Sequence, residues 1–478
     1  MKKTQKRLIA LLMVLSMAVL TAACTTPVAQ PPAVDPTAVP AEPTKAPTPT
    51  PVPERYEAFD FGGRTIKVGV WWDFFYTSKH TAITDDPGMT NSETATMKLE
   101  NVRRIEKKYN CKIDYVNLGW DPIIASINTS IAAGNPECDI YLTDLQFGIP
   151  AAINGLAQDL KAIAPKNSDM FNEKIIFQPM EALGGTYFVK EQGLPQDGIF
   201  LGYNGTMVNE LGLEDPQALF NKGQWTWDKF AEYCKAGTRD TDNDGTTDIY
   251  GFGGVFPYLI NGLVMNNGGG IAVSKTEGLS SKPVVEAFEF INRLYNVDNS
   301  ARPWNADDWN DNLLAWSDGK VMFYTGVAWV NSQEITAAAN EGGAIPFDFH
   351  VIPYPQGPSG DGTIYTPVAG NWYIVPSGVK EPTKVLQIFE EYMNWHGGKT
   401  DLRDDSSWFE SCFLTEADVE MAFKCGQNMK VDLWDSMKPT FDMGSIWWPV
   451  VVEKTSTVSQ AIEAAKPTLQ DALNTFFK

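Results

Sequence analysis

Three short runs between Arg64 and Asp144 decide the fold: RTIKVGVWWDFF (64–75), CKIDYVNL (111–118) and CDIYLTD (138–144). The first is an almost continuous apolar run, which suits a strand buried on both faces. Between the first two lies NSETATMKLENVRRIEKKYN (91–110), with charges at helical spacing and Asn91 or Ser92 as its cap. Between the second and third lies DPIIASINTSIAAGN (121–135), which puts Ile123, Ile124, Ile127 and Ile131 on one helical face and closes at Gly134. Strand, helix, strand, helix, strand predicts a parallel α/β sheet with right-handed crossovers. Such sheets hold ligands at the carboxyl ends of their strands. Those ends carry Trp71-Trp72-Asp73, Trp120-Asp121 and Asp144.

Outward from this stretch, 478 residues leave room for two or three domains. The net charge of −21 argues against nucleic acid and anionic lipid surfaces as partners. Three histidines leave little for a His-built zinc or copper centre, and 15 tryptophans are unusually many. At the N-terminus, Lys2, Lys3, Lys6 and Arg7 precede the apolar run Leu8–Leu20 and then Thr21-Ala22-Ala23-Cys24. This is the pattern of a secretory signal over 1–23, too short for an ordinary membrane span. The cysteine after small residues resembles a bacterial lipobox, with Cys24 acylated; Thr21 stands where leucine is usual. Residues 24–55 carry the lipidated cysteine and a Pro/Thr-rich stretch with almost nothing to pack, the composition of a semi-rigid tether. Beyond Cys24, an odd set of five remains: Cys111, Cys138, Cys234, Cys412 and Cys425. Cys412 and Cys425 either bridge or stay buried as thiols.

Further motifs follow in order. They are AAGNPECDIYLTD (132–144), NGLAQDL (154–160), GLPQDGIFLGYNGTMVNELGL (193–213), QWTWDKFAEYCK (224–235), WSDGKVMFYTGVAWV (316–330), HVIPYPQGPSG (350–360), AGNWYIVPSGVKEPTKVLQIFEEYMNW (369–395) and SIWWPVVVEKTSTVSQAIEAAKPTLQDAL (445–473). Together they resemble the family 1 extracytoplasmic solute-binding proteins of bacterial ABC importers, the group that includes maltodextrin-binding proteins. The resemblance implies an α/β, two-lobed periplasmic-binding-protein-like (type II) fold with an interlobe cleft and hinge. Lobe 1 is expected over 56–192 plus 356–396 and lobe 2 over 198–350 plus 400–478. Hinge crossings are expected at 193–197 and 351–355, with a surface insertion at 400–445. The implied function is a monomeric, lipid-anchored, extracytoplasmic subunit that captures a mono- or oligosaccharide and delivers it to ABC permease subunits.

Sugar rings present apolar C–H faces and hydroxyl rims, so their clefts combine flat aromatic rings with fixed carboxylates and amides. The resemblance directs Trp329, Trp447, Trp448, Trp372 with Asn371, Trp72 with Asp73, Trp120, Asp144, Phe256, Tyr258 and Glu191 toward the cleft. Trp225 and Trp227 precede a helix and read as core. In DTDNDGTTD (240–248), Asp240, Asp242, Asp244 and Asp248 stand at positions 1, 3, 5 and 9, with Gly245 at 6 and the Thr246 carbonyl available. That spacing wraps oxygen ligands around a structural Ca²⁺, although Gly251 occupies position 12, where an EF-hand has Glu. A solvated acidic turn is the alternative. Two other classes stand beside the importer subunit: a sensory or adhesive sugar-binding lipoprotein on the same fold, and a secreted glycoside-active enzyme. The enzyme needs two carboxyl groups across one bond, for which Asp73, Asp144 and Glu191 are the candidates. No hydrolase or nucleotide motif accompanies them.

Overall fold

A computed structural model describes residues 55–477, except 172–182, 192, 195, 197, 306–307, 309, 341–342 and 369. The signal, Cys24 and the tether to Glu54 lie outside the described residues. The chain begins β1 (Thr65–Val70), α1 (Ser92–Tyr109), β2 (Lys112–Asn117), α2 (Trp120–Ser126), β3 (Ile140–Asp144) and α3 (Leu145–Ile153). Asn91 caps α1, its Oδ1 accepting from the Glu93 and Thr94 amides. Asn110 ends α1 in the left-handed region at φ 46°. Buried Ala95, Val102, Ile105 and Tyr109 give α1 its apolar stripe. The chain continues through β4 (Phe200–Asn204), α4 (Trp227–Gly237), β5 (Tyr250–Gly253), α5 (Phe256–Met265), α6 (Lys282–Asn292), β6 (Val321–Gly326), α7 (Ala328–Asn340) and β7 (Phe349–Ile352). It closes with β8 (Thr366–Pro367), β9 (Asn371–Ile374), α8 (Pro382–Met393), α9 (Glu416–Cys425), β10 (Met429–Lys430) and α10 (Val458–Phe476).

Two four-stranded sheets result, ordered β2-β1-β3-β9 and β5-β6-β4-β7, with a small β10-β8 pair. In the first, β1 runs parallel to β2 and β3, while β9 is antiparallel and sets Asn371 opposite Asp144. In the second, β5 and β6 are parallel. Ile66, Val68, Ile105, Tyr109, Ile113, Leu386 and Phe389 form a core on one face of the first sheet. A second core runs from Ile123, Tyr141 and Phe147 on the other face into Phe230, Phe252, Ile291 and Phe323 of the second lobe.

The return crossing lies later than 351–355. Residues 353–365 stay with the second sheet: Trp225 Nε1 donates to the Pro353 carbonyl at 2.9 Å, and the Tyr365 amide donates to Asn266 Oδ1 at 3.0 Å. The lobes are instead joined by antiparallel passages, with Gly198 bridging Val368 and Val189 bridging Tyr373. Gln192, Pro195 and Asp197 of the outward crossing lie outside the described residues. A third passage follows α8 through Gly397 and Gly398, at φ 59° and 87°.

The 400–445 stretch is not a surface insertion. Phe409, Cys412, Phe413, Met421 and Cys425 form a cluster with Phe200 and Val351 of the second sheet. Leu433, Trp434 and Met437 enter the second core. Charged residues are spread through this stretch, and they mask the short helices at Ser407–Ser411 and Glu416–Cys425, which bury Phe409, Met421 and Cys425. All five described cysteines are free and buried, so Cys412 and Cys425 share a cluster without a bond. Burial pushes both thiols up to about 12.

Candidate functional site: the interlobe cleft

The carboxyl end of β3 lies against the second lobe, with Ser436 Oγ donating to the Leu145 carbonyl just beyond it at 3.0 Å. β1 and β2 run in parallel with it and end at Val70 and Asn117, while β5 and β6 of the second lobe end at Gly253 and Gly326. Elements that leave those ends carry the expected aromatic residues. Trp72 and Trp120 on the first lobe are 39% and 41% exposed; Trp329 and Trp448 on the second are 39% and 41% exposed. Trp72, Trp120 and Trp329 closely follow β1, β2 and β6, whereas Trp448 lies in a helical segment ahead of α10. Large apolar rings left in water are the informative observation, and Trp408, at 38%, is a further one. The first pair is held by edge contacts. Trp71 packs at 4.8 Å from Trp72, 5.2 Å from Trp120 and 5.7 Å from Phe147, while Trp72 stacks on Phe74 at 5.0 Å. Trp71 and Phe147 are thus the rings that fix this wall, and the sequence reading did not single them out for it.

Three expected ligand residues are core instead. Phe256 and Trp447 are each 2% exposed and pack ring to ring at 4.1 Å, with Tyr295 5.0 Å from Trp447. Of two adjacent helical tryptophans, one must face inward, and that is Trp447. Trp372 is 3% exposed beside Phe188. It follows Asn371 on β9, where successive side chains take opposite faces of the sheet, so only half-buried Asn371 remains at the rim. Trp225 and Trp227 are buried, as expected.

The polar candidates divide in the same way. Asp73 is exposed and accepts from Asn117 Nδ2 at 2.9 Å. Glu191 accepts from Trp395 Nε1, which commits it to the third passage rather than to the aromatic walls. Asp144 is half-buried at the end of β3 and caps α3 through the Gln146 amide at 2.8 Å. Burial lifts its carboxyl to about 6; the cap pulls downward, and the charge of Asp435 adds to the rise. Half-buried Tyr258 feels the charges of both Asp144 and Asp435, and burial first, then those charges, raise its phenol. Asp435 reaches this position because Ser436 Oγ donates to the Leu145 carbonyl at 3.0 Å, across the lobes. Burial also raises the Asp435 carboxyl, against the pull of Lys438 Nζ at 3.3 Å. Asp435 and Lys438 were missed because they lie in the stretch read as an insertion.

Away from the cleft, Asp240, Asp242 and Asp244 each offer a carboxylate oxygen, all within 4.8 Å of one another. Asp240 accepts from the Asn243 and Gly245 amides at 2.7 and 2.8 Å, and Gly245 takes φ 91°. Asp248 instead accepts from the Thr241 amide at 2.6 Å and from its hydroxyl, closing the loop from outside that trio. The Thr246 amide donates to Asp244 at 2.7 Å. Three converging carboxylates fit a hard divalent cation.

Among the described residues, no helix is long and apolar enough to cross a membrane. A comparison with curated proteins gives no match. Solved structures share the fold. An ABC substrate-binding protein from Listeria monocytogenes in complex with cycloalternan superposes with TM-score 0.58 at 15% identity, over 86% of this chain and 99% of that one. The GacH receptor of Streptomyces glaucescens, solved unliganded and with acarbose, gives 0.56 at 18% identity, over 87% and 98%. UgpB from Mycobacterium tuberculosis, in complex with glycerophosphocholine, gives 0.58 at 14% identity, over 86% and 98%. The profile of the bacterial extracellular solute-binding proteins matches residues 100–395, well over half of the sequence. With this match and its two four-stranded sheets, the chain belongs to the bacterial extracellular solute-binding proteins.

Proposed function

We propose that this protein is the lipid-anchored, carbohydrate-binding subunit of an ABC importer, with its ligand held between Trp72 and Trp120 of one lobe and Trp329 and Trp448 of the other. The observation that supports this reading is the set of four tryptophans, two in each lobe, each with about two-fifths of its surface in water. Asp73, Asp144, Asn371, Tyr258 and Asp435 supply acceptors and donors for a hydroxyl rim. Ligand shifts the lobes toward a closed arrangement by binding it more tightly than the open one. That two of the compared structures hold cycloalternan and acarbose agrees with a saccharide, while the glycerophosphocholine complex keeps other polar solutes in view. The acidic loop at 240–248 is assigned a structural Ca²⁺ held by Asp240, Asp242 and Asp244. Cys24 is assigned as the acylated residue and 25–54 as the tether. A thermal-shift screen of neutral mono- and oligosaccharides against polyols, amino acids and phosphodiesters tests the ligand class. Stabilisation by saccharides alone is expected; stabilisation only by another class would overturn the sugar assignment.

A further inference from the structure

The segment that follows the third passage is attached to the two lobes in different ways. Its far side is anchored by burial: Phe409, Cys412 and Phe413 pack with Phe200 and Val351 of the second lobe, and Asp418 of α9 bonds the Val351 amide at 3.1 Å. Toward the first lobe its side chains reach the start of α1 through polar contacts alone among those described. Ser407 Oγ lies 2.9 Å from Thr90 Oγ1, Thr94 Oγ1 lies 3.5 Å from Asp405, and Lys399 Nζ lies 4.0 Å from Glu93. These contacts rim a cavity of about 420 Å³ lined by Lys98, Glu191 and Arg403 together with Met89, Leu402 and Trp408, so open space rather than a packed core lies beside them. Upstream, Gly397 and Gly398 both adopt left-handed backbone, and a Cβ at Gly398 would meet nothing within 4 Å. The pivot is therefore conformational, with open space around it.

From this geometry we propose that residues 399–408 are a reversible clasp. They stay with the second lobe throughout, and when the lobes close they grip the first turn of α1 through Thr90, Glu93 and Thr94. Exposed hydroxyl and ion-pair contacts are individually weak, which suits a contact that must be broken and remade as the chain turns about Gly397 and Gly398. The clasp thereby biases the open–closed equilibrium in the absence of ligand, independently of what the cleft binds.

The test is a pulsed-EPR distance measurement on the ligand-free full chain, spin-labelled through Lys107→Cys on α1 and Glu232→Cys on α4. Both positions are exposed and the five described native thiols are buried, so with Cys24 replaced by serine labelling is selective. The T90V/S407A variant and the charge reversal E93K are each expected to raise the long-distance fraction by roughly threefold or more, as a modest change in a two-state balance does. The swap E93K/K399E should restore the original distribution, which a merely misfolded helix start would not do. The control S411A removes a bond made within the segment, to the Trp408 carbonyl at 2.6 Å, and should change nothing. An unchanged distribution in both T90V/S407A and E93K overturns the clasp, as does a shift of equal size in S411A.

Discussion

Trp329 and Trp448 keep 39% and 41% of their surface exposed, whereas Trp447 keeps 2%, and on the proposed reading that difference separates binding from folding at the level of single side chains. Trp329→Ala should weaken saccharide binding by about 1–3 kcal/mol, the worth of one apolar ring face and its stacking, with stability unchanged. Trp447→Ala should instead destabilise the fold by about 3–5 kcal/mol, the range for emptying a buried aromatic position. Calorimetric titration beside urea unfolding distinguishes the two; loss of stability in Trp329→Ala would refute its assignment. Asp144 gives a pH-dependent case. Its folded carboxyl titrates near 6, above the ordinary value of 3.8, so the native state holds a proton that the unfolded chain has released. Stability from this group is complete below pH 3.8 and falls as pH rises through about 6. Asp144→Asn, which keeps a capping oxygen, should therefore be the more stable protein at pH 7.5 by about 1–3 kcal/mol, with the gap closing near pH 4. The same gap at both pH values would show that charge burial is not the cause.

Among the elements, α9 is tied to β7 by one buried carboxylate. Asp418 accepts from Gln217 Nε2 at 2.8 Å, the Val351 amide at 3.1 Å, the Thr415 hydroxyl and His350 Nδ1 at 3.0 Å. The bond and charge of Asp418 raise the His350 imidazole, with Asp215 and Asp348 adding to the rise against desolvation. Stability from this pair is thus full below pH 6.5 and is lost as pH rises through the raised value. Asp418→Ala should cost about 2–4 kcal/mol, because several buried donors lose their acceptor, and should flatten that pH dependence. Urea unfolding at pH 6 and pH 9 reads both effects. The loop between α4 and β5 is a second element-scale case. Millimolar Ca²⁺ should raise the melting temperature by several degrees, and Asp242→Asn should abolish the rise, since each carboxylate removed lowers the charge that holds the ion. No shift in the parent protein would return the loop to a solvated acidic turn.

For the whole molecule, a net charge of −21 disfavours anionic surfaces, so the proposed membrane attachment rests on Cys24 rather than on charge. Cys24→Ala should move the protein from the membrane fraction to the medium or periplasm without changing its melting temperature. Retention of the variant in the membrane fraction would exclude lipidation at that residue.

Local patterning determined much of this protein: the apolar run at β1, the Asn91 cap, the Ile123–Ile131 stripe and the order of motifs are short-range, and each is written in adjacent residues. The positions of Trp72, Trp120 and Trp329 follow from strand order, since carboxyl ends of parallel strands lie on one edge, whereas Trp448 sits in a helical segment. What neighbours in sequence could not decide was which of two adjacent aromatic residues faces the cleft. Trp447 and Trp372 turned inward because Phe256, Tyr295 and Phe188, distant in the chain, offered apolar surface to cover them. The roles of 400–445 and of Asp435 likewise arose only when the chain's end packed back across both lobes. Burial and charge apposition are properties of three-dimensional neighbours, and those neighbours are chosen by tertiary packing.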